Sequence, residues 1–250
     1  MAKIAVRTTD EAPSTQTADG VETRALFERE RDPIHVHVHR LAGAAAITLD
    51  AAPTDRVLYV WHGAVAAGGA TLDTGSAMIV ERGAELELAA SAAGAELVSF
   101  ACTGAACAGG GHLHLLPSDR VPRTTTTAGL NIGSALFADS RCPTCRVWLH
   151  ETELREAGAP IEIHSHSEDE VIFVTAGSIK LGHSLRGPGT ALFVAANTNY
   201  GFSSGADGLT FINFRPSSPT YSSADGSLVL NEADFFIEHV GKPQFLEAAH

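Results

Sequence analysis

The sequence predicts an all-β protein built as two similar β units in tandem. Three observations lead there. The 250 residues include 24 Gly and 11 Pro, a density of turn formers that favours short strands over long helices. Short segments of alternating apolar and polar residues dominate, and few 3.6-residue periods compete with them. The two halves also resemble each other. With Gly63 placed over Gly177, DRVLYVWHG (55–63) lies over DEVIFVTAG (169–177), matching Asp, Val, Val and Gly. The segment before each is β-rich and carries His: IHVHVHRL in one half and RVWLHETEL in the other. A repeating unit of about 100 residues is the size of one small domain.

The elements follow in order. Residues 34–39 alternate strictly, so His35, His37 and His39 share one face of a strand, with Ile34, Val36 and Val38 on the other. Further strands are expected at 56–61, 77–80, 85–88 and 97–101. Residues 101–111 (ACTGAACAGGG) cannot hold a regular strand, and 112–116 lead into Pro117 and Pro122. The stretch 103–135 therefore reads as a junction, with the first barrel at 1–110 and the second at 111–250. In the second half, strands are expected at 146–149, 161–166, 171–174, 178–181, 191–194 and 209–214. The clearest helical segment is 231–239, with Asn231 as its N-cap.

Composition narrows the function. At 44% hydrophobic and 18% charged residues, the chain suits neither a disordered nor a membrane-spanning class. A net charge of −12 argues against nucleic acid and anionic membrane surfaces as partners, since both need clustered Lys and Arg. No apolar run approaches the ~18 residues of a membrane span. Residues 1–14 lack the apolar core of a secretory signal. Four Cys are too sparse for a disulfide scaffold, so a reducing cytoplasm is the expected compartment.

The chemistry gathers in residues 158–177, GAPIEIHSHSEDEVIFVTAG. His164 and His166 point to one face of a strand. Glu170 opens the next strand after a short acidic turn. Two imidazoles and a carboxylate brought together by a hairpin form a common ligand set for Fe(II), Mn(II) or Zn(II).

This stretch resembles the first motif of the cupin superfamily. Gly158, His164, His166, Glu170 and Gly177 each stand at the motif's spacing. The second cupin motif starts acceptably at Gly189. Its Pro, Gly, His and Asn positions then fall on Ala195, Asn197, Tyr200 and Ser204. The resemblance implies a jelly-roll barrel with a divalent metal inside, held by His164, His166 and Glu170, with Tyr200 in the fourth ligand position. Fe(II) is the first choice, with Mn, Ni or Zn as alternatives. A phenol of pKa ~10 beside a divalent cation can ligate it or act as acid or base; otherwise Tyr200 only fills space. In the first half the three ligand positions fall on Asp50, Ala52 and Arg56, which implies a barrel without metal ligands.

Other residues need separate readings. His150 precedes the ligand hairpin and is a candidate catalytic proton shuttle, or a core histidine. His35, His37 and His39 could form a metal row, but they read rather as a partly exposed strand face or the lining of an empty first barrel, because Arg56 stands where a carboxylate ligand belongs. Cys142 and Cys145 form a CxxC that, with Cys102, Cys107, His112 or His114, suggests a structural Zn site; a redox pair or two ordinary thiols are the alternatives.

Two functions are carried forward. The first is a metal-dependent enzyme acting on a small organic substrate, with dioxygenase chemistry the commonest implication of the resemblance and isomerase or lyase chemistry as alternatives. The second is a non-catalytic ligand-binding or structural protein with two cupin barrels. Either suits a monomer or a homodimer.

Overall fold

The computed structural model describes residues 3–16, 19–103 and 110–246. The chain is almost all β. Its strands are β1 (Ile4–Thr8), β2 (Ser14–Gln16), β3 (Val21–Phe27), β4 (Ile34–Leu41), β5 (Ala46–Leu49), β6 (Arg56–Ala67), β7 (Ala70–Asp73), β8 (Ala77–Val80), β9 (Leu86–Cys102) and β10 (Leu113–Leu116). They continue with β11 (Arg123–Thr124), β12 (Ile132–Ala138), β13 (Trp148–Leu154), β14 (Pro160–His166), β15 (Glu170–Leu181), β16 (Ser184–Arg186), β17 (Thr190–Val194), β18 (Tyr200–Arg215), β19 (Thr220–Ser223) and β20 (Val229–Asn231). One α-helix, α1 (Glu232–His239), follows.

These strands form two antiparallel sheets, each in its own unit. In the first, the order is β10-β8-β6-β9-β4-β3-β2, with β5 on β9 and β7 on β6. In the second, it is β1-β17-β15-β18-β13-β12-β11, with β14 on β18, β16 on β15, and β19 and β20 added beyond β14. The repeat seen in the sequence is therefore repeated in the pairing: β6 and β9 stand in the first unit as β15 and β18 stand in the second.

Four glycines show why the repeat kept its register. Gly63 and Gly177 have φ of +75° and +66°, and a Cβ on either would lie 2.3 Å from the carbonyl oxygen of Gly94 or Gly208 respectively. Only Gly allows both the left-handed turn and that approach. There the long strands bend and change partners. Thus 85–88 and 97–101, expected as separate strands, are one strand, β9, as are 171–174 and 178–181 in β15.

The division at 110/111 shifts. β10 pairs with β8, His114 opposite Ile79, so the first unit runs over the described residues of Glu11–Val121. It also takes in Cys142–Arg146 and the residues after Lys242. In exchange, β1 pairs with β17, Val6 opposite Leu192, and belongs to the second unit. Local alternation identifies a strand but not its partner, and both changes come from distant edge pairing.

Each unit has its own core. Leu58, Val60, Met78, Val80, Leu86 and Leu97 fill the first. Ile172, Val174, Leu192, Phe202 and Phe211 fill the second. Helix α1 begins as expected: Asn231 Oδ1 accepts from the Asp234 N–H at 3.2 Å. Its Phe236 meets Trp148 edge-on at 5.4 Å. Burying such a ring stabilises by ~1.5–3 kcal/mol, which seats the helix over one end of the second barrel's interior.

Candidate functional site: the interior of the second barrel

The hairpin places its residues as the alternation requires. His164 and His166 lie on β14, buried and on one face, with rings 4.8 Å apart and nearly perpendicular. Cross-strand register sets His164 opposite Tyr200, the first residue of β18. Glu170, the first residue of β15, is 1% exposed. On β13, His150 stands opposite Asn213 of β18. His150, His164, His166, Tyr200 and Asn213 line a cavity of about 340 Å³ together with Ile172, Phe202 and Phe235, and Glu170 lies buried behind that lining.

Hydrogen bonds fix the ring states. His164 Nδ1 donates to the Glu162 carbonyl at 2.7 Å, so its Nε2 accepts from the Tyr200 hydroxyl at 3.0 Å. The Tyr221 ring stacks on His164 at 5.0 Å. Trp148 Nε1–H donates to His150 Nδ1 at 2.8 Å. Burial, then the nearby Arg215 charge, lowers the His150 pKa to about 3. His150 is therefore neutral at ordinary pH and a weak base, which removes the acid half of the expected proton shuttle.

The residue that the spacing arguments missed is Arg215. It closes β18, is 1% exposed, and points its guanidinium into the ligand cluster. Nη2 donates to Glu170 Oε2 at 2.8 Å and to His166 Nε2 at 2.9 Å. Nη1 donates to Glu232 Oε2 at 2.6 Å. Asn213 Nδ2 donates to the same Glu170 oxygen at 2.8 Å. Glu232, the first residue of α1, puts its other oxygen 3.2 Å from His166 Nδ1.

Electrostatics follow from this arrangement. Burial pushes the Glu170 carboxyl up, but Arg215 and His166 outweigh it and hold it below its usual range. Burial acts on Glu232 in the same way, and Arg215 and His166 bring it down to about 2. Burial and the Glu170 charge keep the Tyr200 phenol well above 10, hence protonated. Two carboxylates thus share one guanidinium and the His166 imidazole. Glu170 Oε1 and Asn213 Oδ1 are buried with no hydrogen-bond partner, which is costly for acceptors in a barrel interior.

A divalent ion held by His164, His166 and Glu170 does not fit this geometry. A guanidinium has no acceptor, so the His166 Nε2 lone pair is committed to Arg215, and the same cation holds Glu170 Oε2. Among the described residues, the one group of three or more His, Cys, Asp or Glu side chains whose donor atoms converge closely enough for a metal lies elsewhere: Glu81, His114, Cys142 and Cys145, in the first unit. The four expected ligand residues do come together, but around a fixed organic cation.

In the first barrel, His35, His37 and His39 line a cavity of about 210 Å³ with Arg29 and Arg56. Both His39 nitrogens are engaged, by Thr23 Oγ1 at 3.0 Å and Ser99 Oγ at 2.9 Å. Arg56 turns to the Asp50 carbonyl at 2.6 Å. No carboxylate is among the described residues lining this cavity. A larger open cleft, about 670 Å³, runs along Gly20–Glu22, but its Arg40 and Glu96 already pair with each other.

The architecture and the His/His/Glu hairpin define an all-β protein of the cupin fold. No protein-family sequence model matches the chain, and no curated protein matches it by sequence. Solved structures do match. A point variant of Bacillus subtilis oxalate decarboxylase superposes with TM-score 0.67 at 13% identity, over 88% of this chain and 79% of that one. Lactobacillus farciminis oxalate decarboxylase, in complex with formate, gives 0.67 at 11% identity over 85% and 86%. The E. coli protein Ylba, carrying the family designation DUF861, gives 0.66 at 12% identity over 85% and 90%. At such identities the likeness is one of fold.

Proposed function

We propose that the second barrel binds a small organic molecule that presents hydrogen-bond donors or a cationic head to Glu170 and Asn213. The observation that carries this reading is the pair of buried, unpartnered acceptors, Glu170 Oε1 and Asn213 Oδ1. A ligand N–H or ammonium satisfies both atoms, and the apolar wall of Ile172, Phe202 and Phe235 holds its remainder. A dicarboxylate such as oxalate, named in the structural neighbours, would offer Glu170 Oε1 and Asn213 Oδ1 no donor. The protonated Tyr200 phenol, now donating to His164, is a hydroxyl that a bound molecule can engage in its place.

Calorimetric titration with a panel of small amines, amides, ureas and carboxylates tests the proposal. Binding of an N–H-bearing ligand, weakened at least tenfold by Glu170→Gln, is expected. Preferential binding of carboxylates, or affinity unchanged by Glu170→Gln, would overturn it.

A second reading is metal-dependent catalysis of the dioxygenase type, with Fe(II) at the hairpin. The same buried Glu170 Oε1 favours it. It requires Arg215 to withdraw from His166. Metal retained in the Cys142→Ser/Cys145→Ser protein but lost with His166→Ala, together with oxygen uptake on a substrate, would favour this reading over the first.

A further inference from the structure

We propose that Glu81, His114, Cys142 and Cys145 form a four-ligand zinc site in the first unit, separate from the interior of the second barrel. One oxygen, one imidazole nitrogen and two sulfurs lie within 4.8 Å of one another. None of these positions takes part in the function proposed above.

The fold brings the four together from three places. Glu81 directly follows β8, and its N–H donates to the His112 carbonyl at 3.1 Å, continuing the β8–β10 ladder. That ladder sets His114 beside Glu81, with Nε2 2.7 Å from Oε1. The Cys142–Arg146 segment packs with this unit although its flanking strands, β12 and β13, belong to the other. The two residues between the cysteines form a tight loop that turns both thiols to one point. Cys145 is fully buried, Cys142 is partly so, and neither is in a disulfide.

The Glu81 carboxylate is the second observation. It is 1% exposed. The groups facing it are an imidazole, the Thr144 hydroxyl and the His112 amide, 3.2 Å from Oε2. None carries a permanent positive charge, so a buried anion lies against two thiols and an imidazole. A divalent cation supplies that charge and takes its ligands as thiolates.

Geometry and ligand type select zinc. Tetrahedral bonds of about 2.0–2.3 Å put donor atoms ~3.3–3.8 Å apart. The His114–Glu81 contact need open by only about half an ångström, and the widest pair need close by about one. Two sulfurs, one nitrogen and one oxygen are ligand types that zinc accepts together. Thr144 and the His112 amide hold the carboxylate from behind, as groups supporting metal ligands do. Four protein ligands leave no open position, so the role is structural: the ion pins the Cys142–Arg146 loop to β8 and β10.

The test uses the full chain, purified reduced and without chelator. About one zinc per chain is expected by elemental analysis, falling at least tenfold in Cys142→Ser/Cys145→Ser. As a readout independent of that variant's folding, the wild-type chain is also refilled with Co(II). A thiolate-to-cobalt charge-transfer band and intense tetrahedral d–d bands are expected, and they should persist in His166→Ala. Failure of the reduced wild-type chain to take up zinc or to show the thiolate band would overturn the proposal. So would recovery of Cys142 and Cys145 only as a disulfide that binds no metal after reduction, or bound metal unchanged by the double substitution.

Discussion

Arg215 Nη2 stands 2.9 Å from His166 Nε2, on the lone pair that a metal ion bound through Nε2 would use. The same nitrogen is 2.8 Å from Glu170 Oε2. One guanidinium thus holds the histidine and the carboxylate of the hairpin motif together.

Removing that cation should be expensive. Arg215→Met leaves Glu170 and Glu232 buried without their partner, an expected loss of ~3–5 kcal/mol in denaturant unfolding. Adding Glu232→Gln to Arg215→Met should recover part of the loss, because it removes one uncompensated charge. No recovery in the double variant would show that Arg215 stabilises by packing alone.

Tyr200→Phe deletes the donor to His164 Nε2 and leaves a buried acceptor unpaired, for an expected cost of ~1–3 kcal/mol. Thermal and urea unfolding measure it. Phe keeps the ring contacts with His164 and Phe202, so a larger loss would point to packing rather than the hydroxyl.

Acid should destabilise the protein in two stages. Burial, then the neighbouring His37, holds His39 down at about 4, and His150 is held at about 3, both below the ordinary 6.5. The unfolded chain therefore binds more protons than the folded one below pH 6.5, and stability falls as pH drops from 6.5 towards 4 and then 3. Glu232, depressed from 4.5 to about 2, contributes stability above 4.5 that is lost as pH falls towards 2. Urea midpoints across these windows should decline steadily. His39→Asn should flatten the slope between pH 6.5 and about 4, and an unchanged slope would contradict the assignment.

The glycine pairs can be tested against an open control. Gly177→Ala places a Cβ 2.3 Å from the Gly208 oxygen at a φ of +66°, whereas Gly182→Ala, at a φ of +60°, meets nothing within 4 Å. The control should cost ~1 kcal/mol for its backbone conformation, and Gly177→Ala distinctly more. Equal losses in chemical denaturation would remove the close approach as the reason for glycine.

By itself, the sequence determined the all-β class, the internal repeat, the single capped helix and the gathering of His164, His166, Glu170 and Tyr200. The helix cap and the meeting of His164, His166 and Glu170 follow from short spacings within one strand or hairpin, where side-chain period and turn chemistry leave little freedom, whereas the repeat and Tyr200 were legible by matching spaced motifs. The tertiary structure decided what occupies that gathering and which strands complete each barrel. Arg215 and Asn213 arrive from the far half of β18, and Glu232 from the start of α1, through cross-strand register after a bend at Gly208. Glu81 joins the CxxC for the same reason, through the β8–β10 ladder and a loop that packs with Glu81's own unit. No spacing encodes these meetings, because register between distant strands is set by the packing of whole sheets.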